Sequence, residues 1–390
     1  MSNHHHRNPL HCIVPPHIVE QIIENGSPDQ INRAQHNLNV SGEVRSQRNT
    51  IAATSAKPQI TAGQKQRKVY DAQNGSTLPG NLVRSEGDPA TGDPAADEAY
   101  DGAGTTYDLY FDIFERNSID DNGLELTSIV HYLTGYDNAF WDGQKMVYGD
   151  GDEDLPESDR LFNRFTIALD IIGHELTHGV TQYEANLVYQ NQPGALNESF
   201  SDVFGSLVKQ RSKNQKADEA DWLIGEGLFT ANVNGTAIRS MKNPGSAYDD
   251  PVIGKDPQPG HMNEYVNTTS DHGGVHINSG IPNKAFYEIA MELGGFAWEK
   301  AGKIWYTTLK DKLTPNSDFQ EAADETYKTA GELFGAGSAE ETAVKNGWSK
   351  VGINVNIPGN NGEPQPPDDG SGKRGCAGVF LVFFWLFNLY

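Results

Sequence analysis

An α+β chain of two halves is what this sequence predicts, a β-rich N-terminal half followed by a mainly α-helical C-terminal half. From residue 69 to about 175, short runs such as 105–113 and 146–149 read as strands between turns. From Glu198 onward the 3.6-residue periodicity takes over, at 283–293, 299–308, 319–333 and 339–346. A length of 390 residues implies two or more domains. The halves are expected at 69–180 and 181–356, with 1–50 as a separate leading segment and 357–390 as a linker and tail.

The first half closes on His174-Glu175-Leu176-Thr177-His178. Positions four apart share a helix face, so both imidazoles can reach one metal ion at about 2.0–2.1 Å. Glu175, one step round the turn, stands where a general base for the attacking water belongs. Ile167, Ile171, His174 and His178 follow one helical stripe that begins as buried apolar surface. Glu198 lies twenty residues beyond His178, on a second amphipathic helix expected after a turn around 190–194. Phe200, Val203, Phe204, Leu207 and Val208 form its apolar stripe. Glu198 and Asp202, four apart, repel unless a cation is near. With Glu198 as third ligand and Asp202 accepting an imidazole N–H, both carboxylates acquire a role. Three protein ligands with an open fourth position describe a catalytic zinc site. Taken singly, the histidines read as satisfied core or surface groups and the carboxylates as a solvated face; the combined spacing outweighs those readings.

These residues, with Asn197 and Ser201, resemble the thermolysin-like family of zinc neutral proteases, and the likeness runs from about Asp71 to Ile353. Upstream, Asp137-Asn138-Ala139-Phe140-Trp141 and the run from Met146 to Asp152 resemble the family's substrate-edge strand and following loop. Downstream, Arg239-Ser240-Met241 and the run from Asp271 to Gly280 resemble further active-site segments. The resemblance implies a two-domain fold with one zinc ion in the cleft, held by His174, His178 and Glu198. It implies Glu175 as proton acceptor and carrier to the leaving amine, and His276, oriented by Asp271, as oxyanion stabiliser or proton donor. Tyr189 would also face the oxyanion, Arg239 a substrate carbonyl, and Asn138 with the Ala139 backbone would align the peptide as an added strand. Asn197 and Asp202 would support the ligands. Phe162, Phe165, Ile171, Ile224 and Ile238 match the pocket for the residue after the scissile bond, so Leu, Phe or Ile is expected there. Without the zinc motif, His276 would read as a capping residue, Tyr189 as core and Arg239 as a surface ion pair.

The chain also departs from that pattern. Asp170, Asp221 and Glu226 match ligands of the family's double calcium site, but Lys209 and Leu223 stand where acidic ligands are expected. That site is therefore expected to be absent, with the lysine ammonium neutralising the remaining carboxylates. Asp150, Asp152 and Asp154 look like half an EF-hand loop. Leu155 occupies the position that needs Gly and no carboxylate stands at the twelfth, so that reading is rejected.

Residues 11–23 read as an extended Pro-Pro segment entering a short helix with Ile18, Ile22 and Ile23 on one side. They resemble the short propeptide of protealysin-type members, which implies an inhibitory prosegment; a disordered arm is the alternative. After Gln35 the chain turns polar, with Arg45, Arg48, Lys65, Arg67 and Lys68 expected in an exposed linker, and maturation is expected between Gln35 and Lys68. Cys12 lies in the prosegment and Cys376 in the tail, leaving the catalytic region without a disulfide. A Cys12 thiolate capping the zinc is one conceivable feature of the latent form.

Met1 to Leu10 has no apolar h-region and is not a secretory signal peptide, so secretion by another route or a cytoplasmic role is expected. A net charge of −23 opposes binding to nucleic acid or anionic membrane. The apolar tail from Cys376 to Tyr390 is shorter than the roughly 20 residues that span a bilayer, and its contact with membrane is left open. The reading is a monomeric zinc endopeptidase acting on polypeptides and made as a zymogen. The alternative is a catalytically silent zinc-binding interaction protein, against which the presence of Glu175 and His276 argues.

Overall fold

A computed structural model describes residues 11–51 and 63–356, apart from the side chains of His11 and 41–51. The N-terminal half is organised by a six-stranded sheet. Its order is β1 (His11–Cys12), β5 (Ala139–Trp141), β6 (Met146–Tyr148), β4 (Leu126–Val130), β2 (Arg67–Asp71) and β3 (Asn81–Ser85). Strands β2, β4 and β6 run parallel; β1 and β3 pair antiparallel at the two ends, and β5 is antiparallel to both its neighbours. Before the sheet proper come α1 (Pro16–Asn25) and α2 (Pro28–Ile51). Ile18 and Ile22 are buried as expected, Ile23 is partly buried, and Val19 joins them.

The run 105–113, expected as a strand, is instead the second half of α3 (Pro94–Phe114). Its Thr, Tyr, Phe and Ile content favours strand locally. The helix prevails because Asp93 caps it, accepting the Ala95 N–H, Pro94 opens it, and Ala99, Ala103, Tyr107, Tyr110 and Phe114 are all buried at helical spacing. A second correction concerns Ile167, which is 40% exposed in the turn before α4 (Leu169–Tyr183), so the buried stripe starts at Ile171. A third concerns the linker. Helix α2 continues to Ile51, Lys65 pairs with Asp108 at 2.6 Å, and Arg67 opens β2 with its guanidinium bidentate to Glu86 and 3.7 Å over the Tyr100 ring. An Arg with both a carboxylate fork and an aromatic face is held in the fold rather than left in a linker.

The C-terminal half is helical. After α5 (Asn191–Ser212) and the short pair β7 (Leu223–Ile224) and β8 (Arg239–Ser240) come α6 (Asp271–Asn278) and α7 (Gly280–Leu293). The chain ends in α8 (Ala301–Asp311), α9 (Phe319–Phe334) and α10 (Ala339–Lys350). The expected helices match α7 to α10 with ends shifted by a few residues. No helix among the described residues is long and apolar enough to cross a membrane. The apolar tail lies outside the described residues.

What positions the site is the crossing of α4 and α5. A Cβ on Gly205 would stand 2.4 Å from the Asp170 carbonyl oxygen, and one on Gly173 would stand 3.0 Å from the Gly205 Cα. Backbone meets backbone there, bringing His174 of one helix beside Glu198 and Asp202 of the other. Gly205→Ala is expected to cost about 1–3 kcal/mol through overpacking, read as a lower melting temperature and weaker retention of metal on dialysis.

His131 ties the sheet to α3. Its ring bonds Asp150 at 2.8 Å and Asp93, the cap of α3, at 2.7 Å. The hydrogen bond to Asp150, reinforced by Asp93, pushes its pKa up to about 9 against the opposing effect of burial. A pKa raised on folding stabilises fully below the unfolded value, near 6.5, and the stabilisation fades as pH rises through about 9. His131→Gln should flatten this part of the pH–stability curve, as measured by thermal melts between pH 6 and 10.

Candidate active site

Helix α4 presents His174 and His178 from one face, one turn apart, and α5 presents Glu198 toward them. The His178 Nε2 lies 3.0 Å from the His174 Nε2; Glu198 approaches the two nitrogens at 3.5 Å each. All three residues are buried. The opposite ring nitrogens settle the tautomers. His174 Nδ1 lies 2.8 Å from Asp202 Oδ1, and His178 Nδ1 lies 2.8 Å from Asn197 Oδ1. Asn197 spends its amide N–H on the Leu187 carbonyl, so its oxygen faces the ring. Each Nδ1 therefore carries its proton toward an acceptor, and each Nε2 turns a lone pair inward.

Two imidazole lone pairs and a buried carboxylate then point at one another. Glu198 Oε2 has no hydrogen-bond partner among the described residues. Such a set is repulsive alone and fits a zinc ion by donor number, donor type and second-layer support. It forms a metal-type cluster, with donor atoms within 4.8 Å of each other. The Cys12 sulfur is not a member of that cluster.

The remaining expected residues converge on it. Glu175 is buried, and its Oε2 accepts the Trp141 backbone N–H at 3.1 Å, which fixes it against β5. Tyr189 donates to Glu198 and lies 3.1 Å from His276 Nε2. Asp271 holds His276 through Nδ1 at 2.6 Å and through the backbone N–H at 2.8 Å. This grip requires a tight loop: Asp271, His272, Gly273 and Gly274 all have positive φ, and a Cβ on Gly273 would stand 2.1 Å from Asn191 Oδ1. Burial disfavours the His276 imidazolium, but the charges of Asp271 and Glu198 outweigh it and push the pKa up to about 9.

Arg239 is buried rather than on the surface. Nε and Nη2 each bond Asp202 at 2.8 Å, while Nη1 reaches the Ile13 carbonyl at 3.3 Å. Burial would raise the Asp202 pKa, yet Arg239 and then His174 hold it well below the usual carboxylate range. Asn283 completes the shell of Asp202 at 2.8 Å. Sequence reading missed Asn283, which opens no motif and is tied to the site only in space. It also missed Gln258, whose amide donates to the His276 carbonyl at 2.7 Å.

The leading segment occupies this site. Strand β1 pairs with β5 so that Cys12 faces Phe140. Ile13 N donates to the Ala139 carbonyl at 3.3 Å and Val14 N to Asn138 Oδ1 at 3.1 Å. His276 Nε2 lies 3.1 Å from the Cys12 carbonyl oxygen. Asn138, Ala139, Arg239 and His276 thus all engage three consecutive residues. Ile13 is wholly buried in one apolar cluster with Phe162, Phe165, Ile171, Ile224 and Ile238.

Lys209 lies at the expected place in α5. Its ammonium sits 2.7 Å from Asp170, 2.9 Å from Asp221 and 2.8 Å from the Leu223 carbonyl. Burial opposes its charge, but the two carboxylates overcome that and raise its pKa. Lys209→Met would leave both carboxylates without their cation, Asp170 buried in the first turn of α4, at a cost of about 3–5 kcal/mol. Chemical denaturation is the measurement.

A buried two-histidine, one-glutamate cluster between a sheet-bearing half and a helical half defines a metallopeptidase, and this chain belongs to the thermolysin family of metalloendopeptidases. The family's catalytic domain matches residues 38–182 and its alpha-helical domain residues 185–353. The chain is 50% identical over 352 residues to an extracellular metalloprotease of Pectobacterium carotovorum subsp. carotovorum, covering 89% of this chain and 97% of that one. It is 47% identical over 351 residues to protease PrtS of Photorhabdus sp. (strain Az29), covering 88% and 92%. Among solved structures it resembles the precursor of protealysin, a metalloproteinase from Serratia proteamaculans. The TM-score is 0.80 at 51% identity, over 88% of this chain and 99% of that chain.

Proposed function

We propose that this chain is a zinc endopeptidase made as a zymogen, with residues 1–50 as an inhibitory prosegment whose Cys12, Ile13 and Val14 lie along its own substrate path. The observation that carries the reading is the inward-facing Nε2 pair of His174 and His178 closed by Glu198, with both Nδ1 protons already committed. Zinc held there supplies Lewis-acid polarisation and a lowered water pKa. Glu175 takes a proton from the attacking water and passes it to the leaving nitrogen. Tyr189 and His276, on the face where the Cys12 carbonyl now lies, donate to the oxygen that gains charge. Asn138, Ala139 and Arg239 align the peptide as an added strand, as they now align residues 13 and 14.

Ile13, wholly buried with its N–H and carbonyl held by Ala139 and Arg239, supports a preference for Leu, Phe or Ile after the scissile bond. The Lys209 ammonium between Asp170 and Asp221 supports the absence of a double calcium site, so metal analysis should find no pair of tightly held calcium ions beside the zinc. Helix to Ile51 and strand from Arg67 support maturation in the stretch between them. The name of the Pectobacterium relative supports action outside the cell. Docking of β1 on its own chain's β5 supports a monomer. No observation favours a silent scaffold.

The test compares full-length and processed protein on casein and on a peptide library. Processed protein should cleave ahead of bulky apolar residues, lose activity to a zinc chelator, and fall at least about 100-fold with Glu175→Gln. Equal activity of the full-length and processed forms would remove the zymogen reading; undiminished cleavage by the Gln variant would remove the mechanism.

A further inference from the structure

Beyond Asn138, where β5 begins and β6 ends, the loops 135–137 and 149–154 enclose a recess filled by one side chain, Arg33 of α2. Its guanidinium bonds Asp154 in parallel, 2.8 Å to Oδ1 and 2.9 Å to Oδ2. It also reaches the Gly151 carbonyl at 3.3 Å, and its Nε lies 3.5 Å from Asp152 Oδ1. Gly135 forms the floor, where a Cβ would stand 2.0 Å from Arg33 Nη1. Asp137, adjacent to Asn138, adds a carboxylate whose Oδ1 is sealed from solvent and accepts no hydrogen bond among the described residues. Its other oxygen accepts from Asn37, which is also on α2. Burial raises both Asp137 and Asp152 above the usual carboxylate range.

Both side chains that serve these carboxylates from α2 leave when the prosegment leaves. Arg160, the other arginine near Asp154, is committed to the carbonyls of Leu155 and Glu153. The recess also lies on the substrate path. Cys12, Ile13 and Val14 run along β5 from Phe140 toward Asn138, and the prosegment then turns away at Pro15 and Pro16 into α1. An unbroken extended peptide would continue toward Asp137 at about 3.3 Å per residue.

We propose that, in the processed enzyme, the recess of Gly135, Asp137, Gly151, Asp152 and Asp154 is a substrate subsite for an arginine side chain, three or four residues beyond the scissile bond. This rests on the peptidase reading above. Arg33 fills the subsite from within the zymogen. The geometry selects a planar guanidinium over a divalent ion: Asp154 is engaged by a two-pronged fork, and the carboxylates surround a flat group rather than converging on a point. Among the described residues, the metal-type cluster is the histidine–glutamate one, and these aspartates form none.

The test uses processed protein and peptides with Leu after the scissile bond, differing only by Arg, Gln or Glu at the third and fourth positions beyond it. The Arg peptides should show about tenfold higher kcat/KM than the Gln peptides, chiefly through KM, with the Glu peptides below both. Asp154→Asn, on an exposed side chain, should abolish the Arg advantage by bringing the Arg peptides down to the Gln peptides. Equal rates for Arg and Gln, an advantage that survives in Asp154→Asn, or its loss in millimolar calcium would each overturn the proposal. If no peptide is cleaved, the peptidase reading has failed. The recess is then judged by fluorescence anisotropy with Glu175→Gln, where the Arg peptide should bind about tenfold tighter and equal binding would overturn the subsite.

Discussion

The carboxylate of Asp202 is buried where α4, α5, β8 and α7 meet, and both its oxygens are in use. One accepts from His174 and Arg239, the other from Arg239 and Asn283. A lone buried anion is costly, and here the cost is offset by a guanidinium and two hydrogen-bond donors. Three consequences follow from that one group. The His174 tautomer is fixed with its free lone pair toward the metal site. Arg239 is held planar with one nitrogen left over for a peptide carbonyl. Helix α7 is tied to the zinc helices through a side chain that makes no contact with metal. The α4–α5 crossing at Gly173 and Gly205 makes this arrangement possible, because any Cβ there would separate Asp202 from His174.

The metal-type cluster was legible because its chemistry is local in sequence, whereas Asn138, Tyr189, Arg239, Asp271 and His276 were expected only from the family resemblance. His174 and His178 share a helix face, and Glu198 and Asp202 lie one turn apart on the next helix; period and charge alone expose such features. The sheet was less legible. Residues 105–113 carry strand-forming side chains, yet a cap, an opening proline and a helical burial pattern set by neighbouring elements prevail. Ile167 fitted the helical stripe on spacing, but the chain begins α4 only after Ala168. Arg67 looked like linker charge because its partners, Glu86 and Tyr100, are distant in sequence. Asn283 and Gln258 gave no signal for the same reason.

In the proposed zymogen, inhibition is built from recognition by the leading segment. Its backbone uses the groups that would align a peptide, Ile13 takes the apolar position, and Arg33 neutralises an acidic recess. None of these contacts is individually large. Together they are intramolecular, so no translational entropy is lost on docking, and the effective concentration of the inhibitor is set by the chain.

Strand β1 is only two residues long, yet it caps β5 at one end of the sheet. In the proposed processed form its departure bares the outer backbone donors and acceptors of the three-residue β5, a border able to pair with any extended polypeptide, including a neighbouring molecule of the same enzyme. On that reading, the opening that admits foreign chains also admits sister molecules. On the proposed reading, self-digestion at high concentration is the consequence, and the covered border of the uncleaved chain guards against it.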